Sequence, residues 1–166
     1  NYHDTFSRMP AAYYRAWPTS NGSTFGTPGW GWGTMILPRL EQQALYDVLN
    51  PSTARLDGNV ATKTPAQTSL PMFRCPSDTG AKTNANRGDY GTSNYVAVFG
   101  ALYDQASVGQ PVVAGSVPNA NTGVFGPNSG VRLAEIEDGT SNTIMIGEMC
   151  YGPNGVKDSN GGKRLY

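Results

Sequence analysis

The chain has 166 residues, of which 38% are hydrophobic and only 14% charged, and its 12 Lys and Arg balance 12 Asp and Glu. That length suits one domain. Zero net charge argues against a nucleic-acid groove or a polybasic membrane surface, and no run of about 18 apolar residues is present to span a bilayer.

Glycine and proline, 21 and 12 residues, predict a fold rich in turns, while 9 Tyr, 5 Phe and 3 Trp supply core material that disordered chains lack. A neutral chain poor in charge and rich in Asn, Ser, Thr and Gly fits an extracytoplasmic protein. Asn1 opens in mid-pattern with no initiator Met, which reads as a chain whose targeting segment has been removed.

Tyr2 to Ser7 reads as the tail of a helix that began upstream and is ended by Pro10, so residues 1–9 are assigned to it. Residues 17–33 form an aromatic-glycine loop containing Trp17, Phe25, Trp30 and Trp32. Such side chains either line a sugar or peptide groove or fold inward over the core, and inward packing is the expectation. Thr34 to Leu49 carries the clearest helical spacing, through Ile36, Leu37, Leu40, Ala44, Leu45, Val48 and Leu49. Thr34 is its expected N-cap, Pro38 lies in its first turn, and Asn50-Pro51 stops it.

Residues 51–68 read as a polar connection, Ser69 to Arg74 as extended chain, and residues 79–92 as a loop. Asn94 to Phe99 and Thr143 to Cys150 are the two best strands. Residues 104–122 form a second long loop, with Val112 and Val113 as a candidate short strand. Gly123 to Gly126 brings Val124 and Phe125 back to the core, Val131, Leu133 and Ile136 anchor a turn-like segment, and Asp138-Gly139 turns the chain. Residues 152–166 read as a mobile tail. Helices and strands do not alternate as a βαβ pattern requires, so the expected class is α+β, a small antiparallel sheet packed on helix.

Known catalytic patterns are absent. The single histidine, His3, reads as a helix-end or packing residue. No G-x-S-x-G, H-E-x-x-H, Walker lysine motif or G-x-G-x-x-G occurs. The inventory therefore argues against an enzyme, although a carboxylate pair for glycoside hydrolysis could come from any two acids. Cys75 and Cys150 belong to no C-x-x-C pair, which argues against zinc. In an oxidising compartment they could form one disulfide, worth on the order of 4 kcal/mol through chain entropy. The alternative is two buried thiols.

Six segments in order carry a resemblance: Asn1-Tyr2-His3-Asp4, Gly29-Trp30-Gly31-Trp32, Ile36 to Gln42, Phe73-Arg74-Cys75-Pro76-Ser77-Asp78, Ser93-Asn94-Tyr95-Val96, and Asp138 to Ile144. Together they resemble the DUF1559 family, also called SBP_bac_10, of surface or secreted proteins of planctomycetes and related bacteria. The resemblance implies a prepilin-type start and a long apolar helix that ends near the first of these segments. It thus implies a pilin- or pseudopilin-like head, residues 1–166, whose missing N-terminal helix drives self-assembly into extracytoplasmic filaments. The isolated head would be a monomer. The alternative is a surface module that binds a solute or glycan through Trp17, Trp30 and Trp32. The Cys150 position and the glycine-rich tail match no pattern of the family.

Asp138, Ser141, Asn142 and Glu148 gather oxygen atoms around a tight turn, with Asp78 and Asp89 as distant candidates. If a metal binds there it is calcium, which takes six to eight oxygen ligands; the calcium loop of type II secretion pseudopilins is the analogy. The plainer reading is favoured: an Asp-Gly turn whose side chains bond nearby backbone.

Overall fold

Asn1 caps the first helix, α1 (Tyr2–Phe6), by accepting the Asp4 N–H at 3.0 Å. Ser7 ends α1 in the left-handed region, at φ 55°, and its N–H bonds His3 O at 2.7 Å. Pro10 is therefore not the stop; the chain has already turned three residues earlier. The computed structural model describes residues 1–15, 28–54, 56, 64–85, 88–98, 123–126 and 128–150.

No residue of α1 is buried. The helix is seated on the outside of the domain, with Tyr2 and Phe6 rings 4.5 Å apart and the Arg39 guanidinium 6.0 Å from the Phe6 ring centre. Burial, with Tyr14 beside it, pushes the Tyr2 hydroxyl up to about 12. Just beyond, Met9 N–H bonds Val131 O at 2.8 Å and ties this end to the C-terminal part of the domain.

Strand β1 (Tyr13–Arg15) pairs antiparallel with β2 (Pro28–Gly31) through an irregular register. The end of the expected aromatic-glycine loop is thus strand, and it runs directly into a second helix, α2 (Trp32–Ile36). Trp17 and Phe25 lie outside the described residues. Thr34 sits inside α2 rather than capping it; Gly31 holds the cap position.

The continuous helix expected over 34–49 is broken into three pieces. A 3₁₀ turn covers Leu37–Leu40, and α3 covers Gln43–Leu49. The break has a physical cause. Because α2 starts at Trp32, Pro38 falls beyond its first turn, where proline cannot continue an α-helix. It instead opens the 3₁₀ turn, which Glu41 closes at φ 60°. The apolar spacing survives the break, since Leu37 and Leu49 are both buried, but Val48 is exposed. Asn50 ends α3 in the left-handed region, as the Asn50-Pro51 stop predicts.

Ser69–Arg74 is not fully extended: Pro71–Phe73 forms a 3₁₀ turn, with Phe73 N–H on Leu70 O at 3.0 Å. The expected loop at 79–92 contains a short antiparallel pair, β3 (Thr83–Asn84) with β4 (Tyr90–Gly91). The two expected strands shorten to β5 (Tyr95–Ala97) and β6 (Ile146–Glu148), and they pair with each other, Tyr95 opposite Glu148 and Ala97 opposite Ile146. Instead of one sheet, the described residues hold three two-stranded antiparallel sheets. Helices beside small antiparallel sheets make the class α+β. Residues 104–122, including Val112 and Val113, and the tail 152–166 lie outside the described residues.

Trp30, Leu37 and Leu49 form the main core, covered by Met35, Leu45, Tyr46, Leu70 and Phe73 among others. The Trp30 indole N–H bonds Ala54 O at 2.8 Å, which satisfies its one polar atom. Ala11, Val124 and Phe125 are buried as well. Trp32 bridges to them: its ring centre lies 5.9 Å from Phe73, edge-on, and 6.2 Å from Phe125. Among the described residues, no helix is long and apolar enough to cross a membrane.

Candidate functional site

Among the described residues, a buried polar cluster is built around Asn94, which is 0% exposed. Its placement follows from the 3₁₀ turn and from β5. Phe73 O accepts the Asn94 backbone N–H at 2.9 Å, which sets the residue against the Pro71–Phe73 turn. Its carbonyl accepts the Met149 N–H at 2.7 Å, at the end of β6. The side chain then spans the same two segments. Oδ1 accepts the Cys75 N–H at 2.9 Å, and Nδ2 donates to Met149 O at 2.7 Å and to Asp78 Oδ2. Burying an amide is tolerable only when its polar atoms are satisfied, and Asn94 has a partner for each.

Asp78 is the second element of this clamp. Its side chain is 2% exposed and lies 3.4 Å from Arg74 Nη2. Arg74 also donates to Gly80 O at 2.9 Å and to Thr92 Oγ1 at 2.7 Å. Asp78 Oδ1 accepts the Gly80 N–H at 2.9 Å. The guanidinium fork thus fixes the 74–80 turn against the segment leading to β5.

Both cysteines reach this clamp. Cys75 O accepts the Asp78 N–H at 3.1 Å, and the Cys150 thiol lies 3.6 Å from Asp78 Oδ1. The expected disulfide between Cys75 and Cys150 is not formed in the structure; both are free thiols. The Cys150 thiol points at the Asp78 carboxylate, and Cys75 is half-buried rather than fully enclosed.

The family SBP_bac_10, described as a protein of unknown function (DUF1559), matches residues 1–165. The chain belongs to this family. No curated protein and no solved structure matches it. The clamp gives two of the segments that carry the SBP_bac_10 resemblance a physical content. Phe73 to Asp78 and Ser93 to Val96 are far apart in sequence, yet Asn94 joins them directly.

The remaining expected site residues fall elsewhere. Asp138, Ser141 and Asn142 are exposed on a turn in which Gly139 takes φ 85°. Asn142 N–H bonds Gly139 O at 3.0 Å, and its Nδ2 bonds Asp138 O at 2.9 Å. Thr143 Oγ1 caps the same turn by donating to Gly139 O at 3.0 Å. Glu148 is exposed on β6, opposite Tyr95. Asp78 belongs to the Asn94 clamp, and Asp89 is exposed at the β3–β4 turn with φ 59°. His3 is half-buried in α1. Among the described residues, no three His, Cys, Asp or Glu side chains gather to hold a metal ion.

An open cavity of about 600 Å³ lies between the helices and the strands β3 to β5. Trp30, Leu37, Leu49, Phe73, Tyr90 and Tyr95 contribute to its wall, and none of its described lining residues is charged. At its wall the Tyr90 hydroxyl donates to Leu56 O at 2.7 Å. Trp32 reaches the cavity as well, but Phe73 and Phe125 already flank its ring.

Sequence reasoning missed Asn94 and Arg74 as a site. The sequence reads Asn94 only as the first residue of a strand, and Arg74 only as the end of an extended segment. The signal that could have found them is the pairing of the two recognised segments, one with Arg and Asp at i and i+4, the other with an Asn next to a strand.

Proposed function

We propose that this chain is the globular head of a pilin- or pseudopilin-like subunit that assembles into filaments outside the cytoplasm. The supporting observation is the position of α1. It carries no buried residue, Phe6 lies beside the Arg39 guanidinium and Tyr2 beside Tyr14, and Ser7 turns the chain sharply after it. A helix seated in this way can lead into an apolar assembly helix without disturbing the core around Trp30. Membership of SBP_bac_10 supports the same reading through the prepilin-type start that the resemblance implies. The head on its own would be a monomer.

The experiment is to express the natural gene product with a prepilin peptidase and examine the sheared surface fraction by electron microscopy. Filaments labelled by an antibody to the head are the expected result. A processed protein that remains monomeric, or a gene product that carries a lipoprotein signal and no long apolar helix, overturns the reading.

The uncharged cavity favours a second reading, a module for a neutral, mainly apolar solute. Trp30 cannot serve as an open sugar platform, because it is 2% exposed and its N–H is committed to Ala54. The test is titration with phenylnaphthylamine, a neutral apolar fluorophore. Saturable enhancement that Tyr95→Ala alters supports this reading; a linear, unsaturating response removes it.

A further inference from the structure

Cys75 and Cys150 are far apart in sequence, yet two chains of hydrogen bonds, joined where Asn94 Nδ2 donates to Asp78 Oδ2, connect their segments. Along the first, Cys75 N–H lies 2.9 Å from Asn94 Oδ1, and the nitrogen of that same amide lies 2.7 Å from Met149 O, in the residue before Cys150. One amide group therefore separates the two backbones. Along the second, Cys75 O accepts Asp78 N–H at 3.1 Å, and Asp78 Oδ1 is 3.6 Å from Cys150 Sγ. Both backbones are held a second time: Met149 N–H donates to Asn94 O at 2.7 Å, and Asn94 N–H donates at 2.9 Å to Phe73 O, two residues before Cys75. Cys150 is exposed and Cys75 half-buried, so a small disulfide reagent can reach the first and the second can follow.

We propose that Cys75 and Cys150 are a redox pair held in register by Asn94, closed to an intramolecular disulfide by exchange with a small disulfide of the glutathione type. The Cys150 thiolate attacks one oxidant sulfur and releases the other as a thiolate, leaving a mixed disulfide. The Cys75 thiolate then attacks the Cys150 sulfur and releases the second oxidant thiol. The protein loses two thiol protons and two electrons and gains one S–S bond; the oxidant's S–S bond becomes two thiols. Asn94 touches neither sulfur in this scheme. It is a positioning residue that raises the effective concentration of one thiol at the other. Closing the bond links the 74–80 turn covalently to the end of β6, the two segments that Asn94 already joins.

The test uses the full 166-residue chain, reduced and then equilibrated with a glutathione redox buffer, both folded and in urea. Mass spectrometry separates the intramolecular disulfide, a loss of two hydrogens, from glutathione adducts, and peptide mapping locates the bond. The expected ratio of disulfide to adduct is at least about tenfold higher in the folded chain than in the unfolded one. Equal ratios, or a folded chain that stops at two glutathione adducts, overturn the proposal. Asn94→Ala should bring the folded ratio toward the unfolded value wherever circular dichroism shows the variant folded; an unchanged ratio in a folded variant removes the positioning role. Should that variant fail to fold, the folded-against-urea comparison on the parent chain still decides whether the pair closes.

Discussion

Asn94 and Met149 are tied twice: Met149 N–H donates to Asn94 O at 2.7 Å, and Asn94 Nδ2 donates to Met149 O at 2.7 Å. The first bond is backbone to backbone and would form with almost any residue at position 94. The second, with the bond from Cys75 N–H, requires an amide side chain. Asn94→Ala should therefore leave Cys75 N–H and Met149 O without that partner, at a cost of about 2–4 kcal/mol. Asn94→Asp keeps an acceptor for Cys75 but sets a carboxylate beside Asp78, so it should destabilise as well. Urea denaturation checks both variants, and a near-neutral Asn94→Ala would show that the clamp contributes little.

The parts of the fold that the sequence expressed locally were legible in it. The stop at Asn50 is one example, because the local chemistry of Asn before Pro is enough to end a helix. The strands at 95–97 and 146–148 could be located from β-branched and aromatic residues, but not the fact that they pair. The helix over 34–49 was misread because apolar spacing persists through a break. Leu37 and Leu49 face one core although Pro38 and Glu41 interrupt the backbone between them. Asn94 was illegible as a site for a different reason. Its burial depends on partners at 75, 78 and 149, and no local pattern records a contact made across such separations.

Trp30 is the aromatic residue whose loss should be felt most. It is 2% exposed at the centre of the main core. Trp30→Ala should cost about 3–5 kcal/mol. Trp30→Phe keeps most of the ring but leaves Ala54 O without its indole donor, so a loss of about 1–2 kcal/mol is expected. Trp32→Ala should cost less than Trp30→Ala, since Trp32 is only half-buried. Thermal melts of the three variants test this order; a Trp32 variant less stable than Trp30→Ala would place the core's main anchor at Trp32.

Gly91 is where a methyl group does not fit. A Cβ there would clash with Thr68 O, which is backbone and cannot swing aside. Gly91→Ala should therefore push β4 away from the 68–69 segment and cost about 1–3 kcal/mol. Gly147→Ala is the control, because its Cβ would meet only the Val96 and Val98 side chains, at 3.6 and 4.0 Å, which are ordinary contacts. A shift of the urea midpoint in both variants alike would mean that strand glycines matter for a reason other than this close approach.

Tyr2 gives the domain a measurable response to alkali. Its hydroxyl is raised from 10.0 to about 12, first by burial and then by Tyr14, so the folded state holds a proton that the unfolded state releases. Below pH 10 both states keep that proton, and the contribution of Tyr2 to stability is constant. Between pH 10 and about 12 the unfolded chain ionises first, so stability falls as pH rises through this window. Tyr2→Phe removes the titrating hydroxyl, and the fall should become shallower. The informative quantity is the difference between parent and variant. Urea midpoints measured at pH 9, 10, 11 and 12 supply that difference across the window in which Tyr2 shifts. A slope identical in the two proteins would mean that the Tyr2 proton is held no more tightly in the folded chain, and that α1 is not seated against Tyr14.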